Sequence, residues 1–167
     1  MLTRPAFHTG RPPTPDRPGC RHPESRQNGS VDCELDDDPA RIQLDVLWAY
    51  LSTDAYWGRW RTRTQLEAQV ASAWRVVGAY RADTGEQVGF ARAASDGVGF
   101  AYLADVFVLP QHQGHSLGKR MLQRMIEEGP GRDFRWVLFT ADAHGLYEQF
   151  GFAAPDATAM VRPSRQG

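Results

Sequence analysis

The sequence predicts one α/β domain, a mixed and mostly antiparallel sheet with helices on both faces, in the order βααβββαβαβ. Three observations predict it. Residues 76–109 hold three strand-like apolar segments in close succession, the pattern of a meander. Residues 106–140 run strand, loop, helix, strand, the pattern of a βαβ-like crossover. A chain of 167 residues with 41% apolar and 23% charged content can complete one core of that size.

Residues 1–30 stand apart. Pro5, Pro12, Pro13, Pro15, Pro18 and Pro23 alternate with Arg4, Arg11, Arg17, Arg21 and Arg26. So few apolar side chains cannot offset the entropy of ordering, and a disordered Pro/Arg-rich extension is expected there. It lacks the continuous apolar stretch of a secretory signal. A single domain is expected over 31–167.

Order begins at Val31-Asp32-Cys33-Glu34-Leu35, whose alternation suits a half-buried strand. Asp36-Asp37-Asp38 ahead of Pro39 predicts a helix start, with an aspartate capping open amides and proline in the first turn. Ile42, Val46, Leu47 and Leu51 recur at helical spacing, and Leu66, Val70 and Trp74 mark a second helix over 64–74. Strands follow at 76–81, 87–94 and 100–109, with a turn at Asp83-Thr84-Gly85-Glu86. A helix over 116–128 ends before Gly129-Pro130-Gly131. Residues 134–140 read as a buried strand, 142–150 as a short helix stopped by Gly151, and 157–162 as a last strand.

Charge and composition exclude several classes of function. Lys+Arg 19 against Asp+Glu 20 leaves a net charge of −1, so no global field favours nucleic acid or an anionic membrane. Cys20 and Cys33 lack zinc-site spacing, and the five histidines fall in no ligand pattern, so no metal is expected. No apolar run approaches the roughly 18–20 residues of a membrane span. A reduced, cytosolic, soluble protein is the expectation.

The informative stretch is Pro110 to Arg120, between the apolar run Val106-Phe107-Val108-Leu109 and the helix beginning near 116. A helix N-terminus presents about four unpaired amides and roughly half a positive charge, which suits a phosphate. The nucleotide triphosphatase loop does not fit: Gln113 stands where its first glycine belongs and Arg120 where its hydroxyl belongs. The dinucleotide fingerprint fails as well, for want of a third glycine.

Gln113-Gly114-His115-Ser116-Leu117-Gly118 instead resembles the pyrophosphate loop of the GNAT acyltransferase superfamily, Arg/Gln-x-x-Gly/Ala-x-Gly/Ala, with Ser116 departing at the middle small position. Asp105 to Pro110 resembles the strand leading into that loop. Ala143-His144-Gly145-Leu146-Tyr147-Glu148-Gln149-Phe150-Gly151-Phe152 resembles the superfamily's A-x-x-L-Y-x-x-x-G-F helix. The likeness spans about residues 31–162 and implies a GNAT-like sheet binding acetyl-CoA, or a close acyl-CoA, where two parallel strands splay.

The resemblance implies the following roles. Backbone amides of Gln113, Gly114, His115, Ser116, Leu117 and Gly118 hold the pyrophosphate, with Lys119 nearby. The backbone of Val106 and Val108 meets the pantetheine arm and polarises the thioester, and Thr140 stands where many members carry a cofactor-contacting asparagine. If the amide of Ser116 needs a glycine-only conformation, cofactor affinity suffers. Tyr147 is the expected proton donor to the departing thiolate. An amine of pKa about 10.4 is neutral in only about one part in a few thousand at pH 7, so its proton must be removed, and Asp105 is the candidate base. Tyr102 and Glu148 are alternatives.

The loop Tyr56-Trp57-Gly58-Arg59-Trp60-Arg61-Thr62-Arg63 is expected to wall the acceptor side. Its Tyr56, Trp57, Trp60 and Arg61 suit a planar or carboxylate-bearing acceptor. The expected activity is acetyl transfer to an amine of a small molecule or peptide, with no nucleic-acid or membrane partner. An acyl-CoA-binding protein without turnover, and an adaptor binding nucleic acid or protein through this loop, are the alternatives.

Overall fold

The computed structural model describes residues 32–163. The extension expected over 1–30 and the first residue of the opening strand lie outside them. Strands β1 (Cys33–Asp36), β2 (Arg75–Arg81), β3 (Gln87–Ser95), β4 (Phe100–Val108) and β5 (Arg135–Val137) form one sheet in chain order. The first three pairings are antiparallel and β4–β5 is parallel. The single parallel pair is the crossover expected from residues 106–140. Its connection carries α3 (Leu117–Leu122), which continues as a π-turn over Gln123–Glu127.

Helices α1 (Leu44–Thr53) and α2 (Arg63–Ala71) cover one face of the sheet, while α3 and α4 (His144–Tyr147) cover the other. Leu47, Leu51, Leu66 and Val70 pack with Val76, Phe90 and Phe107 on the first face. Met121, Leu122 and Met125 pack with Val77, Ala79 and Ala91 on the second. This double cover explains why β2 and β3 are apolar without strict alternation. Each fully buried side chain of this size contributes roughly 1.5–3 kcal/mol, so the two layers dominate stability.

Three expectations change in the structure. Asp38 does cap with its side chain, onto the amide of Ala40, but it caps a 3-10 turn (Pro39–Arg41) rather than the first α-helix. Helix α1 starts at Leu44; its cap residue Gln43 exchanges hydrogen bonds with buried Gln87, and its Nε2 donates to the Gly85 carbonyl. Helix α2 opens on a capping box of Thr62 with Gln65. The strand expected at 157–162 does not form: β5 is only three residues long and offers little edge, and Met160 and Val161 are exposed. Beyond Val137 the segment expected to complete that strand leaves the sheet, which opens the cleft described next.

Candidate active site

Strand β4 supplies the frame. Phe90 pairs with Phe107 and Arg92 with Ala104, two steps along β3 against three along β4, so β4 carries one extra residue. Asp105 sits in this bulge with φ +51°, an uncommon conformation that aspartate tolerates better than most residues. Pairing of β4 with β5 ends at Tyr102–Val137, while β4 runs on to Val108. The Leu109 amide donates to the Val88 carbonyl, so the backbone groups of Val108, and by alternation those of Val106, turn toward the side that β5 has left. The carbonyl of Val108 accepts from Gln113 Nε2 at 2.9 Å, which ties the loop to the strand end.

The loop itself is built from two left-handed residues, Gly114 at φ +85° and Ser116 at φ +57°. Left-handed residues interleaved with right-handed ones can turn neighbouring amides toward one point, as in an anion nest. The first intrahelical bond of α3 runs from Arg120 N–H to the Ser116 carbonyl, so the amides of Leu117, Gly118 and Lys119 precede the ladder. A Cβ added at Gly114 would meet nothing within 4 Å. One added at Gly118 would touch only Leu146 and Val108, both at 3.9 Å. Neither glycine is crowded on its side-chain side. Leu117 itself is buried in the core, so only its backbone is available, while His115 and Lys119 are exposed.

Ser116 adopts the αL region, which serine enters at a modest cost, and not a glycine-only one. A β-branched residue is a true outlier there. Ser116→Val is expected to weaken acetyl-CoA binding at least tenfold, whereas Ser116→Gly leaves it within threefold. Calorimetric titration of the two variants checks this.

Thr140 works locally: its hydroxyl accepts from the Ala143 amide at 3.2 Å and so opens α4. Tyr147, at the end of α4, is buried against Phe152, and its hydroxyl is pushed up to about 12, chiefly by burial and then by Asp142 and Tyr56. Tyr102 is half-buried on β4 beside Phe139, and Glu148 is exposed.

Asp105 corrects one expectation. Arg61 reaches it with both terminal amines, at 2.6 and 2.8 Å, and Arg92 adds Nε at 2.6 Å. The side chains of Arg61 and Asp105 are 3% exposed and that of Arg92 10%. Burial pushes the carboxyl up, yet the two guanidiniums more than offset this and hold it below the usual carboxylate range. A carboxylate so held is a poor proton acceptor at neutral pH, and its evident work is to fasten the α1–α2 loop to the bulge.

The same contact revises the role of Arg61. It is turned inward to Asp105 and Gln69 rather than presented to an acceptor, with Trp60 lying over its guanidinium. Trp57 is half-buried in the α1–α2 core. Tyr56 and Trp60 remain 53% and 55% exposed, and Phe139 is 65% exposed. The Tyr56 hydroxyl accepts from the Ala141 amide at 3.1 Å, so the loop and the segment after β5 share a rim. Arg92 was missed from sequence; a lone charge within Gln87 to Ser95, buried on both faces, was its only signal.

A pocket of about 480 Å³ lined by Ile42, Leu44, Val70, Trp74 and Pro130 shares no residue with the loop at 113–118. Among the described residues, no helix is long and apolar enough to cross a membrane.

Comparison with known proteins agrees with this architecture. The family model described as "Acetyltransferase (GNAT) family" matches residues 44–152. A Gibberella zeae protein described as an acetyltransferase is 33% identical over 132 residues, 66% of this chain and 72% of that protein. The chloroplastic serotonin N-acetyltransferase 2 of Oryza sativa subsp. japonica is 40% identical over 76 residues, which is 44% of this chain and 38% of that enzyme. A Xanthomonas campestris pv. campestris structure assigned to the GNAT family superposes with a TM-score of 0.75 at 30% identity, covering 83% of this chain and 97% of that one.

Proposed function

The chain belongs to the GNAT family of acetyltransferases, and on that premise we propose that it transfers an acetyl group from acetyl-CoA to an amine of a small molecule or peptide by direct attack. The observation that carries this is the pair of left-handed residues, Gly114 and Ser116, set between the open end of β4 and the unsatisfied first turn of α3. Amides of residues 113–118 would hold the pyrophosphate, with the Lys119 charge close by. The backbone of Val106 and Val108 would meet the pantetheine arm along the edge that β5 leaves. Acetyl-CoA supplies the activated thioester; the residues of the chain bind it, orient it and manage protons around it.

Tyr147 is the proton donor in this scheme. A phenol held near 12 stays protonated through the working pH range, so its hydrogen is available to a departing sulfur. Because it is a much weaker acid than an ordinary thiol, its chief contribution is a hydrogen bond to the developing thiolate. With Asp105 held by two guanidiniums, the amine's proton passes to water in the cleft or to one of the alternatives, Tyr102 and Glu148. Tyr56, Trp60 and Phe139 form an exposed aromatic rim on the acceptor side. That rim, and the name of the rice relative, support an amine with an apolar or aromatic body.

Tyr147→Phe is expected to lower the maximal rate more than tenfold while acetyl-CoA affinity stays within threefold. Steady-state kinetics with direct titration of acetyl-CoA checks both. An unchanged rate removes Tyr147 as the donor.

A further inference from the structure

Arg92 is not explained by the roles above. Cross-strand partners share a face, so Arg92, its partner Ala104, and Tyr102 two residues away lie on one side of the sheet, the side of Phe90. Phe90 packs against α1 and α2, so this is the face closed by the aromatic loop. Two guanidiniums here meet a single carboxylate, which leaves one positive charge uncompensated in a largely dry site. Such a charge is costly unless an anion joins it.

The hydrogen-bonding pattern localises the deficit. Arg61 uses both terminal amines on Asp105 and Gln69, and its Nε is enclosed without an acceptor. Arg92 uses only Nε. Among the described residues its two terminal amines have no acceptor, and neither is wholly cut off from solvent. A guanidinium whose two terminal amines are unpaired presents the fork that matches a carboxylate or phosphate. Around it stand Tyr102 and, through ring contact with Tyr102, Phe139 of the exposed rim.

We propose that Arg92 is a specificity-determining residue that anchors an anionic group, carboxylate or phosphate, carried by the acceptor amine. This rests on the acetyltransferase assignment for the word acceptor, but anion recognition by Arg92 does not depend on turnover. The uncompensated charge acts twice: it attracts the anionic end of the acceptor and disfavours the protonated form of an amine held nearby.

The test uses the full chain and two ligand pairs, each differing by one anionic group: phenylalanine against phenethylamine, and O-phosphoethanolamine against ethanolamine. Calorimetry without acetyl-CoA measures binding. The wild type is expected to favour the anionic member of at least one pair by roughly tenfold or more, and Arg92→Gln to cut that preference below threefold. Which pair discriminates identifies carboxylate or phosphate as the group. No discrimination in either pair, or discrimination that survives Arg92→Gln, overturns the proposal. The variant leaves Asp105 paired with Arg61, and circular dichroism with an acetyl-CoA titration confirms its fold. Absence of acetyl-CoA binding in the wild type would strike acetyl-CoA as the donor alone, since ligand-pair discrimination is measured without it.

Discussion

Asp105→Asn is expected to be strongly destabilising, lowering the melting temperature by roughly 6–20 °C. Asparagine enters the left-handed region as readily as aspartate, so the change isolates the charge and leaves the bulge conformation intact. It strands Arg61 and Arg92 beside each other in a site where their side chains are 3% and 10% exposed. Breaking a buried ion pair from one side costs about 3–5 kcal/mol, a large share of the roughly 5–15 kcal/mol that holds a domain together. At about 2–4 °C per kcal/mol for a chain of this size, the shift is unmistakable in a thermal melt.

The pH dependence has a definite sign. The folded carboxyl of Asp105 lies below its unfolded value of about 3.9, so its stabilisation is fully present above that pH and is lost as pH falls through the folded value. The gap between wild type and Asp105→Asn should therefore be full at pH 6–8 and narrow below about pH 4. A gap that is flat across that range, or a melt that does not move, would mean the guanidiniums do not depend on this carboxylate.

Gly118→Trp is expected to abolish acetyl-CoA binding, at least a hundredfold in affinity, with little change in fold. The Cβ position at Gly118 has ordinary contacts with Leu146 and Val108 at 3.9 Å, so a methyl group is tolerated. An indole cannot be held between those two side chains and must project over the loop, where it fills the space proposed for the phosphates. The contrast between Gly118→Ala, nearly silent, and Gly118→Trp, fully disruptive, separates steric occupation from a requirement for glycine. Retained binding in Gly118→Trp would place the phosphates elsewhere.

The parts of the molecule legible in sequence were those fixed by near neighbours. Pro110, Gly114 and Gly118 lie within nine residues between an apolar strand and an amphipathic helix, and the junction forms where that pattern put it. Helix α3 and the meander follow from the same local periodicity. Asp38 misled because a capping aspartate before a proline suits a 3-10 turn as well as an α-helix, and here the hydrogen bonds between Gln43 and buried Gln87 fix where α1 begins. The strand expected at 157–162 failed because a strand needs a partner edge, and three-residue β5 provides almost none.

The ion cluster was the least legible element, since Arg61 and Arg92 reach Asp105 from 44 and 13 residues away. Side-chain chemistry alone marked Asp105 as a base and Arg61 as an acceptor contact. Only the fold shows that each neutralises the other. The left-handed bulge at Asp105 likewise has no glycine to announce it.

The most direct measurement is a calorimetric titration of acetyl-CoA into the full wild-type chain at neutral pH. Saturable one-site binding in the micromolar range is expected, and its absence from Gly118→Trp would assign it to the loop at 113–118. No detectable binding by the wild type would contradict acetyl-CoA as the donor and leave the β4–α3 junction without its ligand.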